Sequence, residues 1–323
     1  MKKFDIAVAG ATGMVGRALI QVLQERGFPV NNFYPMASAK SAGSTIDFNG
    51  KDYIVEELTE KSFDRHIDIA LFSAGGAAST KFAPIAASKG CVVIDNSSAW
   101  RMNAEVPLIV PEVNPDDVKW HKGIIANPNC STIQAVVVLK PLNDRYKIKR
   151  VVYSTYQAVS GAGLGGLADL NEGTSNTFKY QISGNCIPQI DVFTENGYTK
   201  EEMKMINETR KILGVPDMRI TATTVRVPVV TGHCESINIE FEKPFELNEI
   251  VDILKSSKGI VVQNDIANFE YPMPIAVQGK DEVFVGRIRR DESVEHGINL
   301  WVVADNVRKG AATNAVQIAE LLK

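Results

Sequence analysis

The segment Gly10-Ala-Thr-Gly-Met-Val-Gly16 constrains the fold more than any other part of the chain. It follows an apolar run, 4–9, that is typical of a buried strand, and it precedes a helical pattern over 15–26 that ends at Gly27. Glycines between a strand and a helix let the backbone approach a pyrophosphate, and the helix N-terminus supplies positive potential. The sequence therefore predicts a nucleotide site here, and a simple strand-to-helix turn is the alternative.

Short β-branched runs alternate with helical segments through the first ninety-odd residues, which indicates a parallel sheet covered by helices on both faces. Further strands are predicted at Asn32–Met36, Ile67–Phe72, Cys91–Asp95 and Gly123–Ala126, and helices at Ser79–Lys89 and from about Ser131. Between two short runs, Asn49-Gly50 favours a tight hairpin appended to that sheet.

The second half of the chain has longer runs with clearer alternation and fewer helical segments. The fold class predicted for the whole chain is α/β: a Rossmann-type doubly wound parallel sheet, plus a second α+β domain with a mostly antiparallel sheet. We expect residues 1–129, completed by a C-terminal helix over 304–323, to form the nucleotide domain. We expect residues 130–303 to form the catalytic and dimerisation domain.

Composition excludes several classes of protein. The 323 residues carry 35 Lys and Arg against 38 Asp and Glu, and this net charge of −3 is too small to attract nucleic acid or an anionic membrane to the whole molecule. No apolar run reaches the length of a membrane span, and the N-terminus lacks an export signal, so a cytoplasmic protein is expected. The four cysteines are too widely spaced for a CxxC pair or a zinc knuckle, so no metal is expected.

Residues around the glycine segment define the predicted cofactor site. Thr12, with Met14 and Val15 at the helix start, is placed to contact phosphate. At the end of the second strand, where an NAD site usually has an acid, this chain has Ser38, Lys40 and Ser41. A cation and hydroxyls there favour a 2′-phosphate, hence NADP(H), and a solvated loop lysine is the alternative. A second backbone wall of the cleft is predicted at Ser73, Gly75 and Gly76.

Asn127-Pro-Asn-Cys-Ser-Thr132 places Cys130 between a strand and a helix. An arbitrary cysteine is most often a buried apolar residue, but a helix N-terminus stabilises a thiolate by about one pKa unit. Full activation needs a base or cation, and histidine is the usual partner. Of four histidines, His233 is the best placed, because it follows Arg226-Val-Pro-Val-Val-Thr-Gly232 and opens a strand.

Six segments together resemble the aspartate-semialdehyde dehydrogenase family over the full chain: GATGMVG, SAGG, NPNCST, QAVSGAG, EExK and RVPVVTGHCES. The resemblance implies a Rossmann domain, a dimerisation and catalytic domain, and a homodimer that can assemble further into a homotetramer. It implies NADPH-dependent, reversible reductive dephosphorylation of β-aspartyl phosphate to aspartate semialdehyde and phosphate, in lysine, threonine and methionine biosynthesis.

The same resemblance assigns roles by position. Cys130 is the nucleophile, His233 the general acid/base, and Gln157 orients the acyl group, while Asn129 helps to stabilise the oxyanion. The other assignments are to substrate and cofactor: Arg226 to the α-carboxylate, Glu201 to the amino group, Arg101 and Lys204 to phosphate, Gly161 to the cofactor, and Asn314 to the nicotinamide amide.

Three residues depart from the family pattern: Lys40 stands where arginine is common, Trp100 where phenylalanine is common, and Cys234 where serine is expected. The nearest rival is N-acetyl-γ-glutamyl-phosphate reductase, which uses the same thioester chemistry on an N-acylated substrate. Its cysteine normally lies in a Gly-Cys-Tyr context, unlike Cys130, and Glu201 suits a free amino group. A nucleotide-binding paralogue without catalysis is the alternative from another class.

Overall fold

The computed structural model describes residues 2–323. They divide into two compact units, one formed by the residues up to Asn129 together with Ala311–Lys323, the other by Cys130–Gly310. In the sequence analysis the returning terminal segment begins at residue 304; in the structure it begins at Ala311. Within the described residues, no helix is both long and apolar enough to cross a membrane.

The first unit is built on a parallel sheet of six strands, in the order β5-β2-β1-β6-β7-β8. Its strands, and those of a hairpin, are β1 (Phe4–Ala9), β2 (Val30–Ala37), β3 (Thr45–Phe48), β4 (Lys51–Ile54), β5 (Glu56–Glu57), β6 (Ile69–Phe72), β7 (Val92–Asp95) and β8 (Ile124–Ala126). Its helices are α1 (Met14–Glu25), α2 (Gly76–Ser88) and the terminal α8 (Thr313–Glu320), which packs on α1. The predicted parallel sheet is confirmed.

The predicted hairpin forms, but it is not part of that sheet. Asn49 and Gly50 have φ of 56° and 75°, as a two-residue turn of the I′ type requires. Strands β3 and β4 make a separate two-stranded sheet, because the hairpin joins the unit through its side chains: the ring of Phe48 stacks on Phe33 with centroids 4.5 Å apart. Packing of apolar side chains rather than backbone pairing attaches it.

The second unit contains a mixed six-stranded sheet in the order β10-β9-β11-β14-β13-β12, with its three central pairs antiparallel and its two outer pairs parallel. Its strands are β9 (Ile148–Gln157), β10 (Arg219–Arg226), β11 (His233–Phe241), β12 (Ile260–Val262), β13 (Val283–Asp291) and β14 (Gly297–Ala304). Its helices are α3 (Cys130–Tyr146), α4 (Gly163–Glu172), α5 (Lys200–Leu213), α6 (Leu247–Ser256) and α7 (Pro274–Val277). The sequence predicts fewer helices for this unit; α4 and α6 are the substantial additions.

Strand register places three predicted site residues in one row. Arg226 at the end of β10 pairs with Gln157 at the end of β9, and the antiparallel register of β9 with β11 brings His233 to the same level. The next row inward is Thr224, Thr155 and then Glu235, which is a residue absent from the sequence-based site. Alternate residues of a strand share a face, so both rows project towards the side on which α3 and α5 pack.

Candidate active site

A groove of about 480 Å³ lies in the first unit at the carboxyl ends of β1 and β2. The residues lining it include Gly10, Thr12, Gly13, Ser38 and Ser73, all of them in the predicted cofactor set. Helix α1 begins at Met14, so its N-terminus with Val15 and Gly16 follows directly on the groove-lining loop. Backbone N–H groups and the positive end of a helix suit a dinucleotide phosphate, and the residues present fit that group.

Two of the glycines are required by close backbone approach. A Cβ on Gly10, whose φ is +83°, would lie 2.3 Å from the carbonyl oxygen of Ser73, and a Cβ on Gly16 would lie 2.0 Å from the carbonyl oxygen of Gly10. Any side chain at these positions would separate the loop from β6 or from α1. Glycine at these two positions therefore lets the loop pack directly against the end of β6 and against α1, and this packing fixes the walls of the groove.

The predicted 2′-phosphate contacts lie in the turn after β2. Ser38 and Lys40 are exposed and Ser41 is half-buried, and the amide of Ser41 donates to the carbonyl oxygen of Ser38 at 2.9 Å. Glu57 at the end of β5 also lines the groove. Sequence reasoning missed this acid because β5 has two residues and carries no pattern; its pairing with the end of β2 brings it there.

Two other predicted site residues of this unit, Arg101 and Asn314, are buried and donate hydrogen bonds within the unit. Arg101 is buried and donates to the carbonyl oxygens of Asn127 and Asn96 at 3.0 and 2.8 Å. Asn314 on α8 is fully buried and its side-chain amide donates to Asn127 Oδ1 at 2.7 Å and to the carbonyl oxygen of Ile109 at 2.9 Å.

The predicted second wall of the cleft lies at the start of α2. Gly75 is the N-cap of α2, with a φ of 85°, and Gly76 is the first residue of the helix, shortly after Ser73, which lines the groove.

Cys130 is the first residue of α3, one residue before the predicted start near Ser131, and its side chain is partly exposed. Asn129 before it is buried. Cys91 and Cys234 are buried instead, and burial, helped at Cys91 by the carboxylate of Asp68, raises the pKa of each thiol to about 12. These two thiols stay protonated at neutral pH and cannot serve as nucleophiles.

His233 is fully buried, and burial, reinforced by the charge of Arg226, lowers its pKa to about 3, against the opposing effect of Glu201. The imidazole is therefore neutral at physiological pH. Its Nδ1 accepts a hydrogen bond of 3.0 Å from the backbone N–H of Ala158, so the ring proton resides on Nε2. Within residues 2–323, Nε2 has no hydrogen-bond partner, which leaves it available to a substrate.

Arg226 lies beside this imidazole. Its Nη1 donates to the carbonyl oxygen of Ala158 at 2.7 Å, and its Nε has no partner among the described residues. A Cβ on Gly161 would lie 2.7 Å from Arg226 Nη1 and 3.3 Å from His233 Nε2, so only glycine leaves room between them. Burial lowers the pKa of Arg226, while the negative charges of Glu201 and Cys130 favour its cation. Arg226 and a Cys130 thiolate therefore stabilise each other.

Gln157 connects this row to α5. Its Nε2 donates to Glu201 Oε1 at 3.1 Å and its Oε1 accepts from the Thr155 hydroxyl at 2.9 Å. Lys204, one turn along α5, donates to Glu201 Oε2 at 3.1 Å and to Asp191 Oδ2 at 2.9 Å. Desolvation opposes its charge, but the two carboxylates outweigh desolvation and raise its pKa. A phosphate bound by Lys204 would share it with these carboxylates.

Sequence reasoning missed a glycine that contacts the nucleophile. A Cβ on Gly310 would lie 2.9 Å from the Cβ of Cys130 and 3.3 Å from its Cα. The position has no motif around it, and 180 residues separate the two in sequence, so nothing in the pattern of the chain points to it. The structure thus joins Cys130, Gln157, Gly161, Arg226, His233 and Glu201 into one cluster within the second unit.

Family models for the two domains of semialdehyde dehydrogenases match most of the chain: the NAD binding domain over residues 5–121 and the dimerisation domain over residues 139–309. These matches, with the groove on a parallel sheet and the cysteine at a helix start, define the class of protein, the semialdehyde dehydrogenases.

Individual relatives narrow this class. The chain is 55% identical to the aspartate-semialdehyde dehydrogenase of Aquifex aeolicus, across 99% of this chain and 98% of the relative. The structure of aspartate semialdehyde dehydrogenase II complexed with ASA from Vibrio cholerae is similar with a TM-score of 0.95, at 49% identity, covering all of this chain and 98% of that one. The enzyme with NADP from Candida albicans has a TM-score of 0.81 at 25% identity, covering 99% and 98%. The chain belongs to the aspartate-semialdehyde dehydrogenase family.

Proposed function

We propose that this enzyme interconverts β-aspartyl phosphate and aspartate semialdehyde plus phosphate through a thioester on Cys130. The observation that carries the proposal is the position of Cys130 as first residue of α3 and close enough to Arg226 for the two charges to interact. A helix N-terminus and a guanidinium both favour a thiolate, which is the reactive form of cysteine. The thiolate attacks the acyl carbon of β-aspartyl phosphate, the C–O bond to phosphate breaks, and phosphate leaves.

NADP(H) is the proposed cofactor, held by the glycine loop of the first unit. The groove, the helix start at Met14 and the turn with Ser38, Lys40 and Ser41 support it, as does the relative from Candida albicans, whose structure is described as containing NADP. Bound NADPH supplies hydride for reduction of the acyl group. The chain's own contribution is to fix the cofactor and to hold the acyl group in place.

His233 acts through Nε2. Because Nδ1 is engaged by the N–H of Ala158, the neutral ring donates one proton and cannot also accept one. In the oxidative direction the Cys130 thiolate adds to the aldehyde carbon, and the resulting alkoxide takes the Nε2 proton. Bound NADP would accept the hydride from that carbon; as the C=O bond of the thioester re-forms, the proton returns to Nε2. In this scheme the thiolate of the free enzyme owes its stability to α3 and Arg226, and the imidazole serves as acid first and base afterwards.

Four charged groups recognise the substrate in this proposal. Arg226 binds the substrate α-carboxylate, which would satisfy its unpartnered Nε. A guanidinium can bind two carboxylate oxygens at once. Glu201 receives the substrate ammonium, and its buried position restricts the site to a free amino group. Lys204 and Arg101 are proposed for phosphate, as the family resemblance implies.

A homodimer is the proposed assembly. The face of the second sheet opposite α3 and α5 carries Tyr156, which is 41% exposed, with its ring 5.6 Å from that of Trp301, and Met273 is exposed in the segment that follows β12 along the chain. Exposed aromatic and apolar groups of this kind mark protein interfaces. Light scattering after gel filtration distinguishes dimer from tetramer. A cytoplasmic location fits four free cysteines, and the proposed role is in lysine, threonine and methionine synthesis.

The test uses purified protein, aspartate semialdehyde, phosphate and NADP, with NADPH followed by absorbance. We expect turnover that requires phosphate, its loss in Cys130→Ala, and unchanged NADP affinity in that variant by calorimetry. Cys186→Ala, an exposed cysteine, is the matched control and should keep full activity. Turnover of the N-acetyl glutamate semialdehyde in place of aspartate semialdehyde would refute the substrate assignment, and activity in Cys130→Ala would refute the thioester.

A further inference from the structure

Asp169 is an acid that the reaction scheme does not use, although both of its carboxylate oxygens accept hydrogen bonds from the chain. It lies on α4, is completely buried, and accepts four hydrogen bonds from the segment that follows the helix. Oδ1 accepts from the hydroxyl of Thr174 at 2.7 Å and the N–H of Asn176 at 2.9 Å. Oδ2 accepts from the N–H groups of Thr177 and Phe178 at 2.7 and 2.9 Å. One carboxylate therefore fixes the path of residues 174–178.

Helix α4 approaches the same segment closely along a second edge. A Cβ on Gly165 would lie 2.4 Å from the Thr177 hydroxyl oxygen, and a Cβ on Gly166 would lie 3.2 Å from the ring of Phe178. The ring of Phe178 packs on a small apolar cluster that contains Val159 and Ile182. The segment thus has one position on α4, defined by hydrogen bonds at one end and by glycines and apolar packing at the other.

Phe178 connects this segment to the site. The guanidinium carbon of Arg226 lies 5.8 Å from the centre of the Phe178 ring. The backbone of Arg226 also pairs with that of Ile187, which follows Phe178 in the same stretch between α4 and α5, by hydrogen bonds of 2.8 and 2.9 Å. An aromatic face orients a guanidinium and stabilises its charge when water is excluded. The orientation of Arg226 therefore depends on where residues 174–178 place the ring.

We propose that Asp169 is a positioning residue for substrate binding, which acts through Phe178 to hold the guanidinium of Arg226 in the orientation that receives the substrate carboxylate. This rests on the proposed role of Arg226. Burial opposes ionisation of Asp169, but the four donors outweigh it and hold its pKa at about 2, so the carboxylate is charged at any working pH. Asparagine cannot replace it, because in either orientation its NH₂ would face at least one backbone N–H, which can only donate.

The test compares Asp169→Asn and Phe178→Leu with Asp265→Asn, in the full-length enzyme. Asp265 is the matched control, because it also holds a turn of this unit, through both nitrogens of Asn268, but has no connection to Phe178. We expect each of the first two variants to raise KM for aspartate semialdehyde about three- to tenfold, the range of one cation–π contact. KM for phosphate and kcat should stay within about twofold, and the double variant should show no larger effect than either single one.

A merely structural role for Asp169 would lower kcat through loss of folded enzyme and leave KM unchanged, and that result would overturn the proposal. So would additive effects in the double variant. If Asp169→Asn does not fold, Phe178→Leu alone decides. Arg226→Lys tests the role of Arg226 separately from that of Asp169. An unchanged KM for the semialdehyde in Arg226→Lys would show that Arg226 does not bind the carboxylate. A raised KM in Arg226→Lys with an unchanged KM in Phe178→Leu would reject only the role of Asp169.

Discussion

The backbone N–H of Ala158 donates to Nδ1 of His233, and the Nη1 of Arg226 donates to the carbonyl oxygen of the same Ala158. One peptide segment thus fixes both the tautomer of the imidazole and the position of its neighbouring cation. Ala158 follows directly on β9. The hydrogen bonds that fix His233 and Arg226 therefore come from the end of a sheet strand rather than from a loop. Sites held by regular elements keep their geometry better than sites held by mobile segments.

The tautomer of His233 gives the first prediction. Because its pKa is about 3, the ring should remain neutral from pH 5 to 8, with the proton on Nε2. Nitrogen-15 NMR of selectively labelled histidine measures both properties, and the urea-denatured protein, in which the ring ionises near pH 6.5, is the reference. The pH profile of kcat/KM should show no step from this group. An imidazole that titrates between pH 5 and 8, or that carries its proton on Nδ1, would contradict the proposed proton transfer.

Two adjacent acids on α5 should behave differently. Glu201 accepts from Gln157, whereas Glu202 closes a capping box by accepting from the N–H of Thr199 at 2.7 Å and also accepts from the N–H of Thr224 at 3.0 Å. We expect Glu201→Gln to raise KM for aspartate semialdehyde about tenfold or more with little change in melting temperature. Glu202→Gln should cost about 1 to 2 kcal/mol of unfolding free energy and leave KM unchanged. Urea titration and steady-state kinetics give both numbers; equal effects of the two substitutions would refute the division.

Gly310 predicts a steric effect on the nucleophile. Its φ is outside the left-handed region, so alanine is compatible with the backbone, but the added carbon would press on Cys130 and displace the first turn of α3 or the segment around position 310. Overpacking of this kind costs about 1 to 3 kcal/mol. We expect Gly310→Ala to lose activity about tenfold or more and to alter the rate of Cys130 alkylation by iodoacetamide, while NADP affinity measured by calorimetry is retained. Wild-type kinetics in this variant would show that the contact is unimportant.

Glu235 predicts a pH-dependent stability. It is fully buried with both carboxyl oxygens unpartnered within residues 2–323, and burial, reinforced by the charge of Glu201, raises its pKa well above the ordinary value. Below about pH 4.3 the carboxyl is protonated in both the folded and unfolded states; above it the unfolded chain ionises and the folded one does not. Stability contributed by the neutral acid is therefore lost as pH rises towards the folded pKa.

Glu235→Gln removes this dependence. We expect the free energy of unfolding of the variant relative to wild type to increase with pH above about 4.3, by up to about 1.4 kcal/mol per pH unit. Chemical denaturation at pH 4, 5, 6 and 7 measures it. Glu240→Gln is the control: the hydrogen bond and ion pair with Lys149 lower the pKa of Glu240, so the stability difference for this variant should change only below about pH 4.3 and stay constant from pH 5 to 7. A pH-independent difference for Glu235→Gln would show that the carboxyl is ionised in the folded protein.

The sequence predicted features that depend on neighbours along the chain. The glycine loop between β1 and α1 and the start of α3 beside Cys130 follow from local turns and helix-start signals. The separate hairpin sheet, Gly310 and Asp169 were not predictable in this way. Each depends on a contact between side chains or backbones whose partner is fixed by tertiary packing, and no periodicity records it.

Roles within the site show the same division. Residue types suggested that His233 is an acid/base, but its tautomer depends on the N–H of Ala158, 75 residues away in sequence. Lys204 has the spacing of an ion pair with Glu201, and the structure adds Asp191, which comes from a segment without regular structure and has a φ of 68°. The chemistry of a side chain can be predicted from its residue type, whereas its protonation state and its hydrogen-bond partners cannot.

The row formed by Arg226, Gln157 and His233 has a consequence for how such a site can change. Successive side chains of a strand point to opposite faces, so deleting a single residue within β9 would turn Gln157 to the far side of the sheet and offer Tyr156 or its other neighbour instead. Length changes are therefore tolerated only beyond the strand ends, and new substrate preferences in related enzymes would have to arise by exchange of side chains on an unaltered backbone ladder.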